Sequence, residues 1–381
     1  IDDSSTMSRS VQLAFAGDTA LGGSLDGIPV GELTRRTGSV QALFADADQR
    51  FLSFDCAIGR QGESVYPEEY VIDCDEGSLA LLSEWGIDVV SLANNHSTDR
   101  GLPALLQGRQ SLRARGIGVI GAGQDDAEAS SCWITQCHGM KIGWLAFASS
   151  DPWVGAYPSS ADRAGVAELN QARVLAAVAA ARGAVDALIV SLHWGKEYIR
   201  VPPPQNVQFA RQLIDAGVRV VVGHHPHVIQ PVESYGRGVI CYSLGNFLFP
   251  DYPDQGLQFR GTANESLLVT LEVDTESATI KSLSPVCCDL DGALQLLPAE
   301  RRDQIMHSLS TTCEILGSLA GEKAWQREVR RFEIARLRRV LREEVVDAGV
   351  RAGTSRLLRL GRKNLRSLGR SLGEIIGGGQ R

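Results

Sequence analysis

What the chain lacks narrows the field first. None of its eight cysteines stands in a CxxC pair. They are scattered and several sit in apolar runs, which argues for reduced, buried thiols and against a disulfide framework or a zinc knuckle. No apolar run approaches the roughly 20 residues that a membrane span needs. The opening stretch, IDDSSTMSRS, has no apolar signal-peptide core and reads as a disordered leader over 1–10. No GxxxxGK[ST] phosphate loop occurs, so an ATP-driven step needs a partner or an activated donor. There is no internal repeat, and no aromatic platform or motif for nucleic acid, which removes that partner class. These absences together predict a cytoplasmic protein with no transmembrane span.

What remains is an ordinary globular composition, 44 % apolar and 22 % charged over 381 residues. That length suits one large α/β domain with an appendage, or two domains of usual size. The net charge of −7 hides an asymmetry: residues 301–381 carry 18 Lys+Arg against 9 Asp+Glu, a net +9, so the remainder holds −16. The expected division is a main α/β domain over 11–297, a basic helical appendage over 298–376 and a disordered end over 377–381.

Polar donors recur at the ends of apolar strands. Strands are expected over 11–16, 50–54, 87–93, 117–120, 141–148, 187–192, 218–222, 239–244, 266–273 and 279–285, and helices over 102–115, 169–182 and 207–216. The strand at 218–222 runs into Gly223-His224-His225-Pro226-His227, three imidazoles in four positions. Imidazoles bury apolar area poorly and are costly to desolvate, so a packing role alone is a weak account of them. Pro226 fixes the backbone between His225 and His227. Other strand ends present Asp18, Asp55, Asn95-His96, His193 and Asn246. Singly, Asp18 is equally a turn cap, and a lone histidine at His193 is more often structural than a ligand. As a set, carboxylate, amide oxygen and imidazole without thiolate suit one or two divalent ions: Mn, Fe or Zn, with Mg as a further option. Two ions about 3.5–4 Å apart would supply hydroxide near neutral pH. The Pro-, Ser- and Gly-containing loop over 151–163, with Trp153 and Tyr157, is a candidate lid or substrate wall.

The order Gly17-Asp18, Ser53-Phe54-Asp55, Asn94-Asn95-His96 with Asp99 and Gly101, His193-Trp194-Gly195-Lys196-Glu197-Tyr198, Gly223-His224-His225-Pro226-His227 with Gln230, and Ser243-Leu244-Gly245-Asn246-Phe247 resembles the CapA-type poly-γ-glutamate capsule-biosynthesis family. That family is similar in turn to the calcineurin-like metallophosphoesterases. The resemblance implies an α/β fold, a four-layer α/β/β/α two-sheet sandwich of metallophosphatase type, here with a C-terminal helical appendage. It implies Asp18, Asp55, Asn95, His193, His225 and His227 as metal ligands, Asp55 bridging. His96 would be the general acid, oriented by Asp99, and His224, Trp194, Glu197, Tyr198 and Asn246 would face substrate. Two departures stand out. The wider fold carries a histidine two residues after the first aspartate, where this chain has Ala20, and the usual Asn-Leu-Glu is Ser53-Phe54-Asp55.

The implied activity is metal-dependent hydrolysis of a phosphoester, or of an amide or ester of a small molecule or γ-glutamyl-type substrate. The rivals are amide-bond formation or transfer in polymer or small-molecule biosynthesis, and a non-catalytic accessory module with a degenerate pocket. The tail reads as helices over 303–348, then a basic amphipathic helix from Arg351 that suits a dimer, a partner protein or the acidic body itself.

Overall fold

The computed structural model describes residues 9–66, 70–289 and 292–341. The expected basic helix from Arg351, residues 1–8 of the leader and the end over 377–381 lie outside the described residues. Two compact units are present, Ile1–Gly317 and Ser318–Arg381. The helix Ala299–Cys313 belongs to the first, where Arg301 grips Glu265 through two nitrogens at 2.6 and 2.8 Å. In the second unit the helix Leu319–Leu341 falls within the helical span expected there.

The first unit is built on two larger sheets. One runs Leu294–Leu296, Ala278–Cys288, Glu265–Asp274, Ser10–Thr19, Gln49–Phe54, Val89–Ser91 and Gly118–Ile120, with Asn246–Leu248 added beside Ser10–Thr19. Its central strands are parallel and its flank is antiparallel. The other runs Val232–Tyr235, Gly238–Cys241, Val220–His224, Ala187–His193, Met140–Ala148 and Trp133–Cys137.

Period two explains why the sheets stack. In Met140–Ala148, Trp144 and Ala146 enter the core between the sheets, while Leu145 and Phe147 face the helices Gln171–Ala181 and Pro204–Asp215. Phe15 and Phe51 of the first sheet meet Trp144 of the second, Phe51 stacking on it at 5.7 Å. Each such fully buried side chain contributes about 1.5–3 kcal/mol. Helices Val30–Phe44 and Gly101–Ala114 lie against the first sheet. The result is the α/β/β/α layering expected, with strand and helix ends shifted by a few residues. The helix Val30–Phe44 and the strands Trp133–Cys137 and Val232–Tyr235 were not foreseen. The two strands mix apolar and exposed polar positions, which weakens their pattern.

Parallel strands end on the same edge. That edge of both sheets carries the polar residues singled out above, and it places them opposite each other.

Candidate metal centre

Asp18 sits at the end of Ser10–Thr19, opposite Ser53 and Asn246 across a register shift. Gly17 makes this approach possible: a Cβ there would stand 2.0 Å from the Gly245 carbonyl oxygen. The Asp18 amide donates to that same oxygen at 2.9 Å, and the Asp55 amide donates to the Thr19 oxygen at 2.9 Å. The two carboxylates are thus held side by side by backbone.

The next loop is organised by Asn94, whose role the sequence reading did not foresee. Its Oδ1 accepts from the backbone of His96 and Ser97 and from Ser97 Oγ, and its Nδ2 donates to the Phe54 oxygen at 2.7 Å. This fixes Asn95 and His96 beside Asp55. The tandem asparagine was the available signal. His96 Nδ1 lies 2.8 Å from Asp99 Oδ2, and its Nε2 lies 3.0 Å from Asn95 Nδ2. Burial alone would lower His96; the Asp99 carboxylate, with Asp55 and Glu197, reverses this and lifts it to about 9.

The second sheet supplies imidazoles. His193 Nε2 lies 2.9 Å from Asn95 Oδ1. Donors at about 2.1 Å from one octahedral ion stand about 3 Å apart, so this edge also fits two ligands of a shared cation. The His225 amide donates to Asp18 Oδ2 at 2.9 Å, and its Nε2–H is directed at the Trp153 carbonyl at 3.0 Å. The loop over 151–163 therefore borders the site. Asn246 Nδ2 donates to the Ala263 oxygen, which turns Oδ1 to accept from His227 Nδ1 at 2.7 Å. His225, His227 and Tyr198 have positive φ values of 92°, 54° and 62°. Such strain at non-glycine residues persists where the surroundings enforce it, and it gathers at functional sites.

The buried polar atoms test whether an ion fits. Among the described residues, Asp18 Oδ1, both Asp55 carboxylate oxygens, His193 Nδ1, both ring nitrogens of His224 and His225 Nδ1 are buried without a hydrogen-bond partner. Burial raises the Asp18 carboxyl, an effect that His227 tempers, and it raises Asp55 well above the carboxylate range. Burial lowers His193 and His225 well below the usual imidazole range, and lowers His227. Unsatisfied buried groups of this kind are costly. A divalent cation answers the carboxylate oxygens and the imidazoles of His193 and His225, though not the rings of His224, because it stabilises carboxylates and takes neutral imidazole lone pairs. One ligand atom each from Asp18, Asp55 and His193 lies within 4.8 Å of the others. The residues fit the ion.

Three residues expected on the substrate side lie elsewhere. Trp194 is buried in the core facing the helices, its indole donating to the Tyr242 oxygen at 3.2 Å. His224 is 1 % exposed, against Phe51 and 3.5 Å from Asp18 Oδ1, so it backs the carboxylate. Asn246 is buried and orients His227. Tyr198 is 39 % exposed at the mouth. Phe249 and Phe259, not foreseen as part of the site, wall His227 at ring distances of 5.2 and 6.3 Å. Phe249 follows Asn246-Phe247-Leu248, and an aromatic so close to a donor was the signal available. Ala20 is buried and brings no donor; its amide donates to the Leu248 oxygen.

Two facing sheets with oxygen and imidazole donors at one edge define an α/β protein of metallophosphatase type. The chain belongs to the family described as bacterial capsule synthesis protein PGA_cap, whose sequence model matches residues 12–251. It is 31 % identical over 189 residues to the capsule biosynthesis protein CapA of Bacillus anthracis, covering 49 % of this chain and 44 % of that one. It is 28 % identical over 252 residues to the PGA biosynthesis protein CapA of Bacillus subtilis, covering 64 % and 63 %. A probable polyglutamine synthesis accessory protein of Mycobacterium tuberculosis is 34 % identical over 208 residues, covering 51 % and 53 %. The matched part thus spans between 44 % and 63 % of the length of these relatives. Among solved structures, a calcineurin-like phosphoesterase of Bacillus subtilis is similar at a TM-score of 0.43 and 12 % identity, over 81 % of this chain and 99 % of that one. A putative 5'-nucleotidase of Staphylococcus aureus is similar at a TM-score of 0.42 and 13 % identity, over 79 % and 58 %.

Proposed function

We propose that the chain is a metal-dependent hydrolase acting on a phosphoester, or on an amide or ester of a small molecule that includes the γ-glutamyl class. The observation that carries this reading is the convergence of buried polar atoms of Asp18, Asp55, His193 and His225 that have no hydrogen-bond partner. Asp18, Asp55, Asn95 and His193 would hold a divalent ion, and oxygen with imidazole favours Mn, Fe or Zn, with Mg as a further candidate. When bound, such an ion activates water and neutralises charge developing on the substrate. Asp55 would bridge if two ions are present. Asp99 holds the His96 Nδ1–H, and Nε2, which faces Asn95 Nδ2, would carry a proton to the leaving group once the ring is protonated and that contact is released. Tyr198 and the loop over 151–163 border the space a substrate would enter.

The names of the relatives support a second reading, amide-bond formation or transfer within polymer biosynthesis, or an accessory part in it. Eight free cysteines support a reducing, cytoplasmic setting. Among the described residues no helix is long and apolar enough to cross a membrane.

The test is turnover by the full chain loaded with Mn²⁺, against panels of phosphate esters and of γ-glutamyl amides and esters. One panel is expected to yield product, and His96→Ala to abolish it. Silence across both panels with ions bound sinks the hydrolase and favours the accessory reading.

A further inference from the structure

We propose that Glu197, His225 and His227 form a second cation site adjoining the one held by Asp18, Asp55 and His193, with Glu197 a direct ligand. The proposal rests on the metal-dependent reading above and adds a residue and an ion to it.

The observation is a second convergence. One ligand atom each from Glu197, His225 and His227 lies within 4.8 Å of the others, with both histidines buried and Glu197 half-buried. The ring nitrogens are sorted for the task. Asn246 takes the Nδ1–H of His227 and the Trp153 carbonyl takes the Nε2–H of His225, so His227 Nε2 and His225 Nδ1 carry the lone pairs. The loop bearing Glu197 is laced to the histidine loop. The Trp194 amide donates to the His224 oxygen at 3.1 Å, the Tyr198 amide to the Pro226 oxygen at 2.8 Å, and Gln230 Nε2 to the Ile199 oxygen at 2.8 Å. Gly195 at φ +93° and Tyr198 at φ +62° turn the chain between these ties. Five residues of loop are thereby spent on delivering one carboxylate to two imidazoles, at the expense of backbone strain.

The two triads share an edge. The His193 and His225 rings stand 4.9 Å apart, and Asp18 Oδ2 lies 3.9 Å from His227 Nδ1 and 2.9 Å from the His225 amide. Asp18 turns its other oxygen toward His193, at 3.9 Å. The two triads are therefore neighbours, with the Asp18 carboxylate held between the His193 ring and the backbone of the histidine loop. The chain offers nothing for a second ion from Ala20, and Glu197 supplies an oxygen from a different loop.

The experiment is elemental analysis and low-temperature EPR of the Mn²⁺-loaded full chain after gel filtration. Wild type is expected to hold about two ions with an exchange-coupled spectrum. Glu197→Gln should retain about one, with the six-line signal of an isolated ion, and Glu197→Asp should bind the second ion at least tenfold more weakly, an unchanged melting temperature with chelator showing that both variants fold. Two coupled ions retained in Glu197→Gln, with only KM raised, would place Glu197 on the substrate and overturn the proposal. A wild type holding a single ion overturns it as well while sparing the hydrolase reading. A wild type holding none overturns both.

Discussion

Asn246 accepts a 2.7 Å hydrogen bond from Nδ1 of His227, and that contact decides which nitrogen of the ring is free. The asparagine is itself held by the Ala263 carbonyl, so it cannot turn its amide without losing a bond. A strand on the first sheet thereby sets the tautomer of a histidine that follows a strand on the second.

Asn246→Ala should therefore weaken ion binding without removing a ligand. Loss of a partner that orients a ligating histidine lowers metal affinity by about 10–100-fold. Isothermal titration with Mn²⁺ checks this, and an affinity within twofold of wild type would refute the orienting role.

His96→Ala should lower kcat by about 10²–10⁴-fold, the range of a positioned proton donor. Asp99→Asn should lower it less, since the amide still holds Nδ1 but no longer favours the imidazolium. Ion content should be unchanged in both, which elemental analysis shows. A His96→Ala variant of full activity would assign the leaving-group proton elsewhere.

Acid should destabilise the ion-free protein through His224. Burial takes its pKa from 6.5 to about 3. The unfolded chain binds the proton first, so stability is complete above about pH 6.5 and falls as the pH drops toward the folded value. The slope reaches about 1.4 kcal/mol per pH unit for one such group. Urea melts in chelator from pH 7 to pH 5 should show this decline, and His224→Asn should make it less steep, leaving the share of His193, His225 and His227. An equal slope in the variant would remove His224 as the cause.

Gly17→Ala should be destabilising by at least about 1–3 kcal/mol, the cost of overpacking a tight core. Its methyl would meet the Gly245 oxygen at 2.0 Å and Ser266 Oγ at 2.9 Å. Because the Asp18 amide uses that same Gly245 oxygen, ion affinity should fall with stability. Thermal melts with and without Mn²⁺ separate the two effects.

Much of this site could be read from strands that stop at polar residues. Asp18, Asp55, Asn95, His96, His193, His225 and His227 all meet at one edge, because parallel strands end together. Trp194 and His224 were assigned to the wrong surroundings for a common reason. In an extended strand the side chains alternate between faces, and the last one or two residues belong to the core or the mouth according to where the strand stops. Val220–His224 runs on to His224, so that ring stays between the sheets, and Trp194 turns toward Tyr242 on the helix side. Asn246 sits beside Asp18 only because a three-residue strand inserts next to Ser10–Thr19, a pairing no local pattern marks.

The sequence by itself determined the period-two strands, the donors that end them and their order, since these depend on each residue's own chemistry and its near neighbours. The tertiary structure decided which nitrogen of each histidine is free, which carboxylates face which rings, and that Glu197 reaches the imidazoles. Those relations join atoms from opposite sheets and distant loops, and they come into being only when the two sheets close on their shared core.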